Sequence, residues 1–426
     1  MARYISIWIV YMTRLKFIVM QWVRYFSPVA WVLASIIFIN RLSAMVKLFM
    51  ALYLRQVLDL PIEWVGWMLS GYGAGLLLGA LAGGILSDFF PTARLTVLLL
   101  SACSIALASL GFVIDVYLLA GLLVMGGIFD GAVRTLHQRL IMEYCEVSDR
   151  QRTQALNRVA ANLGMAVAGL MGGMLAQIDF RWLFFISAIF MVVGLVWFAR
   201  TILHRAVQVY ASTSSSNGQQ SPYEKREFRW LLVATIFLGL AFEPVYSMLG
   251  NYLADYYQFG TNVIGWQFAL NALLIVALQV PISHWTEHWG VRQQILTGCV
   301  LLACGFGMLP FGSGLFFVSL STILWTLGEI LFLPALNILV MQFAQSGKSG
   351  QYFGIFSMCW SGSVLVSPTL GGQIYGMFGG HSIWVITSLL ALFSIPFVYL
   401  AVRFEPRGAQ GLVVPHSVGP KGSTKR

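Results

Sequence analysis

Long apolar runs recur along the whole chain, and they constrain its fold more than any other feature. Runs able to cross a hydrocarbon core about 30 Å thick fall at 29–54, 64–87, 94–114, 117–140, 153–177, 180–202, 230–253, 262–283, 293–311, 315–342, 350–377 and 381–402. Little is left over for a water-soluble core. Hydrophobic residues make up 58% of the 426 and charged residues only 10%, against about 25% charged in a soluble domain. The mean hydropathy is +0.78. The expectation is an all-α polytopic membrane protein with twelve transmembrane helices. Many aromatics sit near the proposed helix ends, as at Trp64, Trp67, Trp182 and Trp230, where interfacial belts form.

Lys and Arg set the orientation. With twelve spans, both termini and the even-to-odd loops share one face. That face holds Arg3, Arg14, Lys16, Arg24, Arg94, Arg150, Arg152, Arg158, Arg200, Arg205, Lys225, Arg226, Arg229, Arg292, Lys348, Arg403, Arg407, Lys421, Lys425 and Arg426. The other face holds Arg55 and Arg181, while Arg41, Lys47, Arg134 and Arg139 lie within or near the ends of spans. Both termini are therefore expected in the cytoplasm. The net charge of +10 then reports topology, and nucleic acid is not an expected partner.

Residues 1–28 are basic and apolar, with Arg14, Lys16 and Arg24 interrupting the run and no small-residue cleavage site after it. They read as an interfacial cytoplasmic segment, with Met12 and Met20 as alternative starts. Residues 203–229 are rich in Ser, Gln, Gly and charge and read as a flexible cytoplasmic linker. The linker divides a six-helix half at 29–202 from a second at 230–403, and a basic tail follows at 404–426. Cys103, Cys145, Cys299, Cys304 and Cys359 lie in or at the inner ends of helices. Their placement suggests neither disulfides nor a metal site.

The halves align without a gap. Tyr53-Leu54 corresponds to Tyr252-Leu253, a shift of 252 − 53 = 199. The same shift carries Gly66-Trp67 to Gly265-Trp266, Asp88 to Glu287, Asp130 to Glu329, and Gly172-Gly173 to Gly371-Gly372. This register across the spans indicates two duplicated, pseudo-symmetric six-helix halves. Parallel halves around a site at the bilayer midplane are a known transporter plan.

Mid-membrane charge is confined to Arg41 and Lys47 in span 1, Asp130 and Arg134 in span 4, Glu243 in span 7 and Glu329 in span 10. These four spans are equivalent under the repeat. Charges facing lipid would be costly, so the spans are expected to line one polar cavity that binds substrate or a proton. Asp130 and Arg134 are four apart on one helix and can meet; alternatively they only lock span 4 in place. Glu243 and Glu329 have no opposite charge within a turn. They find partners on other helices, or stay protonated because burial disfavours the charged form. Phe242, Tyr246 and Trp325 could stack on an organic substrate, or simply pack.

On these residues the chain resembles the major facilitator superfamily from residue 28 onward, and within it the twelve-span drug:proton antiporters of bacterial exporters. The loop 2–3 signature of that branch is matched by Gly84, Asp88 and Arg94, with Phe89 and Pro91 where a basic residue and glycine stand in the family. The repeat copy keeps Glu287, Gly290 and Arg292. The helix 5 antiporter signature is matched by Gly164, Gly172 and Gly173, and its repeat copy by Pro368, Gly371 and Gly372. Residues 328–354 are similar to helix 10 and the following loop of such exporters. The resemblance implies a major facilitator fold, alternating access by rocking of the halves, and cytoplasmic gating by the loop signatures.

The function expected is proton-coupled export of a drug-like or siderophore-like small molecule by a monomer. The proton is the coupling ion, no cofactor is used, and the setting is a bacterial inner membrane. Uptake of an organic nutrient with protons is the rival, and a non-transporting receptor or assembly factor on the same fold is the alternative class. No Gly-x-x-x-x-Gly-Lys loop is present, which argues against ATP as the energy source.

Overall fold

The computed structural model describes residues 25–203, 225–344 and 349–402. Most of the N-terminal segment and the linker, and all of the tail, lie outside the described residues. Twelve helices are long and apolar enough to cross a membrane: Pro28–Gln56, Ile62–Phe89, Thr92–Leu110, Val116–Tyr144, Val147–Ile178, Arg181–Thr201, Arg226–Ser247, Thr261–Trp285, Val291–Phe311, Gly314–Ala344, Gln351–Phe378 and Gly380–Ala401. They are spans 1 to 12 below. Helices satisfy every backbone polar group internally, which is what hydrocarbon demands. Local signals fix some of the starts. Asp115 accepts the Leu118 N–H at 2.8 Å and opens span 4, and Ser27 accepts the Ala30 N–H at 3.3 Å and opens span 1.

Spans 1 and 7 are broken, which apolar length alone does not reveal. Span 1 is two helices, Pro28–Leu42 and Met45–Gln56. At the break, the Ser43 and Ala44 N–H groups turn to the Asn40 and Arg41 carbonyls, three residues back. Span 7 is Arg226–Phe242 and Pro244–Ser247, and a further helix, Leu249–Tyr257, continues it four residues beyond the expected end at 253. Pro244 has no N–H to continue the ladder. Under the 199-residue shift Ala44 corresponds to Glu243, so the two breaks are equivalent. Irregular backbone at membrane depth is tolerated where it lines a cavity.

Packing follows the repeat. Span 2 lies on span 4 as span 8 lies on span 10, span 3 on span 6 as span 9 on span 12, and span 1 on span 5 as span 7 on span 11. Between the halves, span 2 crosses span 11 and span 5 crosses span 8. Each crossing uses glycine. A Cβ built on Gly66 would lie 3.3 Å from the Gly372 Cα, and one on Gly265 would lie 3.0 Å from the Gly173 Cα. The antiporter-motif glycines Gly173 and Gly372 are thus crossing points between the halves. Gly164 and Gly172 take Arg41 and Phe49 of span 1 against them, while Gly371 faces Met248. Pro368 sets its carbonyl against Gly66.

These crossings close one face. Hydrogen bonds join the halves there: Thr261 Oγ1 donates to the Gly173 carbonyl (2.9 Å), the Thr369 N–H to Ser70 Oγ (3.0 Å), and Asn251 Nδ2 to the Ala51 carbonyl (3.3 Å). All lie toward the face of the loop between spans 1 and 2. Toward the opposite face the helices part. The span 11 stripe that carries Gly372 and Pro368 continues through Gly362, Met358 and Gly354. A Cβ on Gly362 or Gly354 would meet nothing within 4 Å, and Met358 is 58% exposed.

Candidate functional site

A cavity of about 460 Å³ sits between the halves, and all six mid-membrane ionisable residues line it: Arg41, Lys47, Asp130, Arg134, Glu243 and Glu329. Its size suits a small organic ligand. Spans 1 and 7 reach it at their breaks, through Ser43, Ala44 and Glu243. Spans 4 and 10 reach it near their midpoints.

Glycines let spans 2 and 4 approach closely beside Asp130. Added Cβ atoms on Gly75 and Gly79 of span 2, or Gly127 and Gly131 of span 4, would collide with the backbone of the facing helix. This close approach brings Tyr72 to Asp130, and the phenol donates to Oδ2 at 2.5 Å. Arg134 grips the same carboxylate with Nη2 at 2.7 Å and Nε at 3.2 Å. Asp130 is therefore held by a forked guanidinium and a phenol.

Glu329 stands at the equivalent place in the other half. Its partner is Asn271, whose Nδ2 donates to Oε2 at 3.0 Å and to Thr326 Oγ1 at 3.0 Å. Tyr72 and Asn271 are themselves 199 residues apart, so the duplication keeps a carboxyl on one span and a hydrogen-bond donor on its neighbour. The charge does not repeat. Arg134 corresponds to Leu333, and among the described residues no basic group lies within 4.0 Å of Glu329 or Glu243. Lys47 and Tyr246 are also repeat-equivalent, and the Lys47 ammonium sits 4.9 Å from the Tyr246 ring centroid, a cation–π contact.

The aromatic expectations divide. Phe242 and Tyr246 line the cavity, with ring centroids 6.0 Å apart. Trp325 does not line it; it is 2% exposed and stands behind Phe242, 5.9 Å between centroids. Trp325 is one turn from Glu329, so spacing alone puts it on the cavity side, but the Phe242 ring closes the cavity first. Trp360 of span 11 and Tyr72 take aromatic positions that the spans' charge pattern did not mark. A shared register of polar residues at 72 and 271 was the available signal for Tyr72 and Asn271.

The loop signatures are placed differently from one another. Asp88 is not joined to Glu287 or to Arg94. It accepts from Arg139 Nη1 at 2.6 Å, and Arg139 Nε also binds Glu143 at 3.0 Å. Ser87 Oγ accepts from Arg139 and Thr92 Oγ1 donates to Glu143, tying spans 2, 3 and 4 together at the open face. Glu287 pairs with His284 at 3.2 Å within its own half, and Arg292 covers the Tyr399 ring at 3.8 Å. Beside Gly84 there is open room, with Thr135 3.9 Å from an added Cβ, and beside Gly290 nothing within 4 Å. The five cysteines are free, and no group of His, Cys, Asp and Glu suited to a metal occurs among the described residues.

A twelve-span bundle with broken helices around a charged central cavity is the architecture of a membrane transporter. The sequence pattern of the Major Facilitator Superfamily matches residues 33–239 and 231–421, and the chain belongs to that family. It is an integral membrane transporter and not an enzyme. It is 21% identical to the MFS-type transporter YqjV of Bacillus subtilis over 386 residues, covering 88% of this chain and 94% of that protein. It is 22% identical to the multidrug resistance protein MdtH of Aeromonas hydrophila over 359 residues, covering 80% and 88%. Among solved structures, the nucleoside transporter NupG shares the fold with a TM-score of 0.73 at 11% identity, covering 89% of this chain and 100% of that one.

Proposed function

We propose that this transporter is a proton-coupled exporter of drug-like or siderophore-like organic molecules. It works by alternating access as a monomer in a bacterial inner membrane, with both termini in the cytoplasm and no cofactor. The observation that carries the reading is the unequal pair of carboxyls: Asp130 is clamped by Arg134, while Glu329 is bonded to a neutral amide and has no base within 4.0 Å among the described residues. A clamped carboxylate serves as a fixed charge. A carboxyl without a cation can take up and release a proton as the cavity changes sides, with Glu243 as the second candidate. The relatives named multidrug resistance proteins support export.

In this reading the open face is cytoplasmic, so the cavity is poised to load substrate from inside. Asp88, Arg139 and Glu143 hold that end of the first half together until the halves rock. Asp88→Asn then slows turnover while leaving substrate affinity near that of the parent. The test of coupling uses inside-out vesicles with and without a pH gradient and a panel of drug-like compounds. Glu329→Gln, or Glu243→Gln if that is the carrier, abolishes gradient-driven accumulation but spares exchange at equal pH. Full gradient-driven transport in both variants would overturn the assignment. Accumulation only in right-side-out vesicles would replace export with uptake.

A further inference from the structure

The cavity carries unpaired cations on one half and unpaired acids on the other, with Lys47 and Glu243 facing each other across it but not joined. On the first half, Arg41 and Lys47 face it with no carboxylate within 4.0 Å among the described residues, while Arg134 is already matched by Asp130. On the second half, Glu243 and Glu329 face it with no base within that distance, beside Phe242, Tyr246 and Trp360. The cavity thus has a cationic wall, an acidic wall and an aromatic surface on the acidic side.

We infer that the substrate is a zwitterion with an aromatic body: a carboxylate that pairs with Arg41 and Lys47, and an ammonium that pairs with Glu243 or Glu329. The inference rests on the proton-coupled export reading and narrows its substrate class. Charge and coupling both require it. When the cavity closes, charges left without water need partners. A purely cationic substrate that takes Glu243 leaves Lys47 with only the Tyr246 ring, and Arg41 with only Asp130, which Arg134 already holds. A purely anionic one satisfies them, but its charge favours the protonated glutamate, so proton and substrate would travel together. The ammonium of a zwitterion competes with the proton for the glutamate. Binding then converts a carboxyl and a free zwitterion into a carboxylate–ammonium pair and one proton released to the cavity water, which is the exchange an antiporter needs. The groups around these glutamates are Lys47, Arg134 and Tyr246 near Glu243, and Asn271, Tyr246 and, farther off, Arg158 near Glu329.

The test is a charge series on one aromatic body: naphthylalanine, naphthylpropionate, naphthylethylamine and naphthylethanol. Each is titrated by tryptophan quenching into the full-length protein in nanodiscs. Naphthylalanine should bind about tenfold tighter than either singly charged analogue, the scale of one charge-assisted hydrogen bond. It should also release a proton in weak buffer. Arg41→Gln with Lys47→Gln should erase the advantage of the two carboxylates over their partners, and Glu243→Gln with Glu329→Gln that of the two amines. Unchanged naphthylethanol affinity in the variants shows that the cavity is intact. The inference is overturned if naphthylethylamine binds as tightly as naphthylalanine, if neither double variant changes the ratios, or if no member of the series binds. The last two results would mean that the two walls serve only to pair with each other on closure. Zwitterion preference without proton release keeps the substrate class and removes the coupling instead.

Discussion

Asp130 and Glu329 occupy the same place in the two halves and live in opposite company. Each is a mid-span carboxyl with a donor on the neighbouring helix, Tyr72 for one and Asn271 for the other. Four residues on, one helix carries Arg134 and the other Leu333. The scaffold occurs twice, and the position four residues on from the acid differs between the copies. A carboxylate in a bidentate grip is a permanent charge that fixes geometry. A carboxyl with an amide neighbour has no such obligation.

The sharpest way to break the comparison is to abolish it. Leu333→Arg places a guanidinium four residues from Glu329 and copies the first half's arrangement into the second. Gradient-driven transport in vesicles should fall to background while the protein still folds and inserts; retention of transport would mean that the difference between the halves is incidental. A smaller effect is expected at the crossings both halves share. Gly265→Val or Gly66→Val sets a side chain against the facing backbone, and overpacking costs about 1–3 kcal/mol. The state closed on the side of the loop between spans 1 and 2 should lose population by about five- to a hundred-and-fiftyfold, read as faster labelling of a cysteine placed at Thr369 from that side. The smallest effect separates the two donors. Tyr72→Phe removes a hydrogen bond to an ionised group, worth about 1.5–3 kcal/mol, whereas Asn271→Leu, made in a Thr326→Val background where its second bond is already absent, removes only the one to the Glu329 carboxyl, neutral in the proposed proton cycle and worth about 1 kcal/mol. Denaturation midpoints in detergent should therefore drop further for Tyr72→Phe. The reverse order would place the fixed charge on Glu329.

The spans were legible because insertion depends on composition over about 20 residues, and no distant contact is needed to read it. Expected and observed spans differ mainly at their ends, and most at span 7, which starts at Arg226 and breaks after Ser247 instead of running from 230 to 253. The breaks in spans 1 and 7 were not legible. Pro244 is visible in the sequence, but nothing at Ser43 and Ala44 announces a turn except their equivalence to Phe242 and Glu243. Where Asp88 finds its partner also escaped spacing, because Arg139 lies on another helix.

By itself the sequence determined how many helices there are, that they come in two like halves, and which four carry charge at membrane depth. Each of these follows from local hydropathy, from register, or from the cost of a charge in hydrocarbon. Only the tertiary structure decided that Tyr72 and Asn271 hold the two acids, that Trp325 stands behind Phe242, and that the halves meet at Gly66, Gly173, Gly265 and Gly372 on one face and part on the other. Those outcomes depend on how each helix rotates about its axis and how closely it approaches its neighbour. Both are set by which small residues face each other across distant parts of the chain, and the order of residues along a single helix does not contain that information.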